Sequence, residues 1–162
     1  MAVDFFLKID GIAGESEKDG MKDNMDIDSF SFGVSQSGSF ASGGQGGGAG
    51  KANFQDISVV KVVDKTSPKL FEACAAGTHI KEAMLTVRRA GNKPVVYFTI
   101  KLTDVIVSSL SNGGASGGSD SVSEQLSLNF AKIEFEYTEQ KKDGGAGPKT
   151  RAGYDVRKGI KA

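Results

Sequence analysis

The feature that most constrains this chain is a period-two alternation of apolar and polar residues that slips phase inside two segments. VDFFLKI puts Val3, Phe5, Leu7 and Ile9 on one side. VVYFTIKL does the same with Val96, Phe98, Ile100 and Leu102, leaving Tyr97, Thr99 and Lys101 opposite. Successive side chains of an extended strand point to opposite faces, so these are half-buried strands. In MDIDSFSFGVS the apolar set begins as Met25 and Ile27 and resumes as Phe30, Phe32 and Val34. In LSLNFAKIEFEY it runs through Leu126, Leu128 and Phe130, then Ala131, Ile133, Phe135 and Tyr137. A strand changes phase only where a residue is inserted or the chain bends, so each slip marks a bulge or a corner. Such bends suit a curved, closed sheet better than a flat one. Strands are expected near 3–9, 25–37, 54–63, 82–90, 95–103, 104–110, 122–137 and 150–158.

One segment departs from the pattern. In DKTSPKLFEACAAGTH, Thr66 or Ser67 can cap, Pro68 suits the first helical turn and Gly77 suits the exit. Leu70, Phe71 and Cys74 fall on one face, so a short helix is expected at 67–76. The residues thus describe a mainly β domain, barrel or sandwich, with one helix packed on it. A chain of 162 residues is long enough for a single domain with a substantial core.

The chain holds 22 glycines, and thirteen of them fall in three runs, 43–50, 113–118 and 144–147. The first run, GGQGGGAGKA, ends on Gly50-Lys51 and invites comparison with a phosphate-binding loop. The P-loop pattern requires glycine at position 45 and a hydroxyl at 52, where this chain has Gln45 and Ala52. The segment that follows, FQDISVVKVVD, is β-branched and reads as strand, not as the helix whose N-terminus would face the anion. The run is a loop of another kind.

Twenty basic residues balance twenty acidic ones, which speaks against nucleic acid or an acidic membrane as the main partner. The single cysteine, Cys74, excludes an intrachain disulfide. Asp4 and Lys8 interrupt the only N-terminal apolar cluster, and no run approaches the ~18 apolar residues of a membrane span. The expectation is a chain made in the cytoplasm that does not insert in a membrane and that, if it leaves the cell, does so without a cleaved N-terminal signal.

No catalytic centre is expected. The one histidine, His79, follows the helix exit with no nucleophile or carboxylate pair beside it. Cys74 lies on the apolar face of the expected helix, where it reads as core. One His and one Cys do not make a metal site, and Asp26 and Asp28 lack the further oxygens of a calcium loop. No metal and no cofactor are expected.

Charge is unevenly placed. Glu15, Glu17, Asp19, Asp23, Asp26 and Asp28 dominate residues 15–28, and Lys149, Arg151, Arg157, Lys158 and Lys161 dominate 149–161. Both are read either as solvated surface or as complementary patches joining identical copies head to tail. In that second reading Glu15, Glu17 and Asp19 of one copy meet Arg151, Arg157 and Lys158 of the next. A β-sandwich binding module acting as a monomer is the alternative; with no Trp it lacks an obvious aromatic platform.

The ordered series of segments resembles the haemolysin-coregulated protein (Hcp) family from end to end. AVDFFLKIDGIAGES is similar to its first strand and turn. FSFGVSQSGS, the glycine-rich loop and DISVVKVVDKTSPKLFEAC are similar to its second strand, extended loop, third strand and helix. IKLTDVIVSSLS, LNFAKIEFEY and GYDVRKGIKA are similar to its later strands. The resemblance implies a compact β-barrel of two packed antiparallel sheets with one short helix, related to phage tail tube proteins, and a single domain over 1–162. It implies hexameric rings stacked into a tube inside a contractile sheath and tipped by a VgrG-type spike. Sheath contraction expels the tube from the cell, with small effector proteins in the lumen. It casts residues 41–52, with Gly43, Gly44, Gln45, Gly46, Gly47, Gly48, Ala49, Gly50 and Lys51, as an extended inter-subunit loop. It turns the polar face of the second strand, Ser29, Ser31, Gly33 and Ser35, toward the lumen; by pattern alone that face is equally an ordinary solvent face.

Overall fold

In the computed structural model the described residues are 2–38, 50–118 and 121–162. The strands are β1 (Val3–Ile9), β2 (Met25–Ile27), β3 (Ser29–Ser31), β4 (Val34–Gln36), β5 (Ala52–Phe54) and β6 (Ile57–Val62). Helix α1 (Ser67–Ala76) follows, then β7 (Ile80–Arg89), β8 (Val95–Gly113), β9 (Ser123–Gln140), β10 (Ala146–Asp155) and β11 (Ile160–Lys161).

The sheet closes on itself, and the first phase slip is where it does so. β2 pairs with β1, placing Phe5 opposite Ile27 and Leu7 opposite Met25. At Asp28 the chain changes partner. The Asp28 amide donates to the Val60 carbonyl at 2.8 Å. From there Ser29, Phe30 and Ser31 lie opposite Val60, Val59 and Ser58 of β6. Since β6 pairs with β9, β9 with β8, β8 with β7 and β7 with β1, all antiparallel, the ladder returns to its start. The segment expected as one strand over 25–37 is therefore three short ones.

The second slip is another corner. The first half of β9 pairs with β6 and the second half, from Lys132, with β10. The change falls at Phe130 and Ala131, adjacent residues that are both buried. Alongside it, β8 bends at Asp104, whose φ is +55°, and the β8–β9 register passes from Thr103–Lys132 to Val105–Phe130 without it. Residues 95–103 and 104–110 thus form one bent strand, not two. Asp is among the few residues other than Gly that tolerate a left-handed backbone, and here it turns the strand without ending it.

Inside the barrel lie Leu7, Ile9, Val59, Leu85, Val105, Leu126 and Leu128, all buried. Helix α1 covers this core with Ser67, Leu70 and Ala73. Phe71, expected on the packed face, is 67% exposed. Adjacent helical residues are about 100° apart, and the face set by Ser67, Leu70 and Ala73 turns Phe71 to solvent. Gly77 ends the helix in the left-handed region at φ +63°. Its amide donates to Cys74 and that of Thr78 to Ala73, which satisfies two of the carbonyls of the last turn. Val34 also departs from expectation, being 56% exposed, because β4 leaves the barrel and pairs only with β5. Phe6, on the face of β1 opposite the core, is buried beneath the side chains of Arg88 and Lys18, at 5.0 and 5.4 Å from its ring.

Candidate functional site

The polar face of the barrel is built by strand register. Ser31 lies opposite Ser58, Ser58 opposite Ser127 and Ser127 opposite Ser109, a row of four serines across β3, β6, β9 and β8. The Ser58 and Ser127 hydroxyls are hydrogen-bonded at 3.0 Å. The next row reads Ser29, Val60, Gln125 and Ser111. Ser29, Ser31 and Ser35 are exposed and Gly33 is half-buried. A Cβ on Gly33 would come within 2.8 Å of the end of the Gln55 side chain, which would have to swing aside. The sequence reading reached Ser29, Ser31, Gly33 and Ser35 and missed Ser58, Ser109, Ser111 and Ser127. Their outward alternation was readable, but only the pairing places them beside Ser31.

Gly43, Gly44, Gln45, Gly46, Gly47, Gly48 and Ala49 lie outside the described residues. The base of their loop is within them. β4 and β5 form a two-stranded ribbon with Val34 opposite Phe54 and Gln36 opposite Ala52. The Ser37 hydroxyl donates to the Lys51 carbonyl at 3.4 Å, and a Cβ on Gly50 would sit 2.3 Å from that hydroxyl. Phe32 and Phe54 fix the ribbon to the barrel. Phe32 meets Phe130 and Phe135 at 6.1 and 5.6 Å between ring centroids; Phe54 meets Phe130 and Tyr154 at 6.3 and 5.2 Å. Between ribbon and barrel runs a cleft of about 410 Å³, lined chiefly by apolar side chains such as Val34, Ile133 and Tyr154.

The charged residues are partly satisfied within the chain. Arg151 pairs with Glu136 at 2.6 Å, and Lys149 with the same carboxylate at 3.3 Å. Arg157 reaches Asp104 at 2.7 Å, whose other oxygen is 3.4 Å from His79. Glu15 accepts the Lys65 amide at 2.8 Å. Glu15, Glu17, Asp19 and Lys158 are all exposed. His79 is an exposed residue after the helix, and Cys74 packs against the core.

The strongest polar cluster was not anticipated. Lys61 is fully buried, and its ammonium lies 2.7 Å from Glu124 and 3.0 Å from Asp64. Glu124 accepts from Ser67 at 2.9 Å through one oxygen and from Asn112 at 2.9 Å through the other. Lys61 stands opposite Glu124 in the β6–β9 ladder, and Asn112 stands opposite Glu124 in the β8–β9 ladder. The signal in the sequence is a charge on each apolar phase: Ile57, Val59, Lys61 and Glu124, Leu126, Leu128.

Asp64 anchors the helix entry by accepting from the amide and hydroxyl of Thr66. Burial pushes its carboxyl up, but the bonds from Thr66 and Lys61 outweigh that and hold it below the ordinary 3.8. Because the folded value is the lower one, this stabilisation is complete above pH 3.8 and is lost as pH falls through the folded value. The stability gap between wild type and Asp64→Asn should therefore be widest near neutrality and shrink below pH 3.8, as read by urea unfolding. A constant gap would contradict this.

Among the described residues, no group of three or more His, Cys, Asp or Glu side chains could hold a metal, and no helix is long and apolar enough to cross a membrane. The profile of the family described as "Type VI secretion system effector, Hcp" matches residues 6–137. The chain is also 45% identical over 164 residues to the protein hcp1 of Pseudomonas aeruginosa, with all of both sequences covered.

The chain belongs to the Hcp family.

Hcp proteins are the tube subunits of type VI secretion, and the fold agrees. The structure of a type six secretion system protein matches this Hcp chain with a TM-score of 0.94 at 30% identity, covering 99% of this chain and 100% of that one. Hcp1 from Salmonella typhimurium matches with a TM-score of 0.83 at 34% identity, with both chains fully covered. A chain of the anti-feeding prophage baseplate, 11% identical, shares the fold alone, with a TM-score of 0.52 over 82% of this chain and 91% of that one.

Proposed function

We propose that this Hcp-family chain forms homohexameric rings that stack into a tube, which a contractile sheath expels behind a VgrG-type spike. The match to the family over residues 6–137, and to the protein hcp1 over the whole chain, carries this reading. The protein acts as a structural element, not as an enzyme. It is made in the cytoplasm and delivered to the extracellular space or a target cell by its own machine. The domain spans residues 1–162, and the 41–52 loop reaches from the β4–β5 ribbon onto a neighbouring subunit or ring. The serine rows line the lumen. Hydroxyls without net charge make a wall that neither attracts nor repels charged cargo strongly, which suits the passage of small effector proteins. Of the residues assigned to charge contacts between copies, Arg151 and Arg157 already hold internal partners. Glu15 likewise accepts the Lys65 amide, and all six residues, Glu15, Glu17, Asp19, Arg151, Arg157 and Lys158, are exposed and able to steer assembly.

Two variants test the lumen and the loop separately. Ser31→Trp should leave thermal stability and ring formation intact while reducing effector co-purification several-fold; unfolding would instead make Ser31 a packing residue. Deleting residues 43–49 should spare the barrel, read by circular dichroism, and weaken tube formation in electron micrographs. Tubes of unchanged length and number would remove the loop from assembly.

A further inference from the structure

The β6–β9 seam adjoins the β3–β6 pairing at which the barrel closes, and its apolar alternation does not fix its own register. On the inner face Ile57, Val59 and Lys61 meet Leu128, Leu126 and Glu124. Sliding one strand by two residues keeps every side chain on its face, because the side-chain period is two. Such a slip in one direction sets Val59 against Leu128 and Ile57 against Phe130, which are acceptable apolar pairs. The outer face offers little resistance, since Ser58, Val60 and Val62 oppose the uncharged Ser127, Gln125 and Ser123. Beyond the Ser58–Ser127 hydrogen bond, the opposition comes from the charges. That slip places Lys61 opposite Leu126 and Glu124 opposite Val63. The reverse slip places Lys61 opposite Val122 and Glu124 opposite Val59. Either one separates a buried ammonium from its buried carboxylate, which a low-dielectric interior does not tolerate.

Glu124 also indexes the third strand. The β8–β9 register shifts between Val107 and Ser109, so the arm beyond that bulge needs a marker of its own. Asn112 supplies it, donating to the Glu124 oxygen that Lys61 leaves free. Ser67 ties the same carboxylate to the start of α1.

We propose that Lys61, Glu124 and Asn112 are the register key of the barrel seam, selecting one alignment of β6, β9 and β8 where the apolar pattern allows several. A buried polar group that sets register rather than net stability is known from coiled coils, where one Asn fixes the alignment of helices. A slip of two residues displaces a strand by about 7 Å. Because β6 carries Ser58 and continues the chain from the β4–β5 ribbon, both polar face and ribbon base depend on the key.

The test is the double variant Lys61→Met with Glu124→Leu in protein carrying labelled Ile, Leu and Val methyl groups. It should stay folded, because an apolar pair of similar volume replaces the charges, with a Tm lowered only by the partners that Asp64, Ser67 and Asn112 lose. The methyls of Val59, Leu126 and Leu128 should then give two or more sets of signals, with cross-strand contacts of more than one register, where wild type gives one set. A single set with native contacts would overturn the proposal. Loss of the folded state would overturn it too, by making the pair a stability element. Neither result depends on whether the chain forms rings.

Discussion

Glu124→Ala should destabilise the chain by about 3 kcal/mol, at the low end of the 3–5 kcal/mol typical of breaking a buried ion pair. The loss arises from what remains. Lys61 has no exposed surface, and its closest counter-charge, at 2.7 Å, is gone. Asp64 at 3.0 Å still offers partial compensation and keeps the cost from rising further. The Asn112 and Ser67 groups that faced the carboxylate lose their acceptor as well. For a chain of this length the Tm should fall by roughly 6–12 °C. The contrast is Glu82→Ala. Glu82 pairs with Lys101 at 2.9 Å, but both side chains are more than one-third exposed, so its removal should cost at most about 1 kcal/mol. Thermal or urea unfolding of the two variants side by side decides the matter. Equal small losses would show that the buried cluster is hydrated in solution.

Phe130→Ala should cost about 3–5 kcal/mol, the range for emptying a buried aromatic site. Phe130 is 6% exposed and sits at the corner where β9 changes partner. Its ring faces both Phe32 and Phe54, the two aromatics that hold the β4–β5 ribbon. A two-stranded ribbon is marginal alone in water, so it should loosen before the barrel does. Amide exchange in residues 34–36 and 52–54 should then rise more than the global loss of stability accounts for. Uniform acceleration across the barrel would mean that the ribbon is held from elsewhere.

Much of this fold was legible because strand alternation is a local signal. The two phase slips, at Asp28 and at Phe130–Ala131, are both corners of the closed sheet. The helix was legible from Pro68 and Gly77, but its packed face was not: choosing Ala73 over Phe71 depends on the surface it meets. Val34 was misplaced for a similar reason, since alternation tells which residues share a face and not whether anything covers that face. Pairing was the part hidden from a linear reading. Lys61 and Glu124 are far apart in the chain, and each alone looks like an ordinary charge on a strand. The serine row was visible only at Ser31, and its extension through Ser58, Ser127 and Ser109 appears only with the register. Arg157 read as a free surface cation because its partner, Asp104, lies at a bend that the pattern had divided into two strands.

A tube subunit must build rings. The most direct test is the native mass of the purified protein together with negative-stain images of the same fraction. The expected mass is about six times that of the 16.9 kDa chain, with open rings in projection. A monomer mass persisting at roughly tens of micromolar, with no rings, would contradict it.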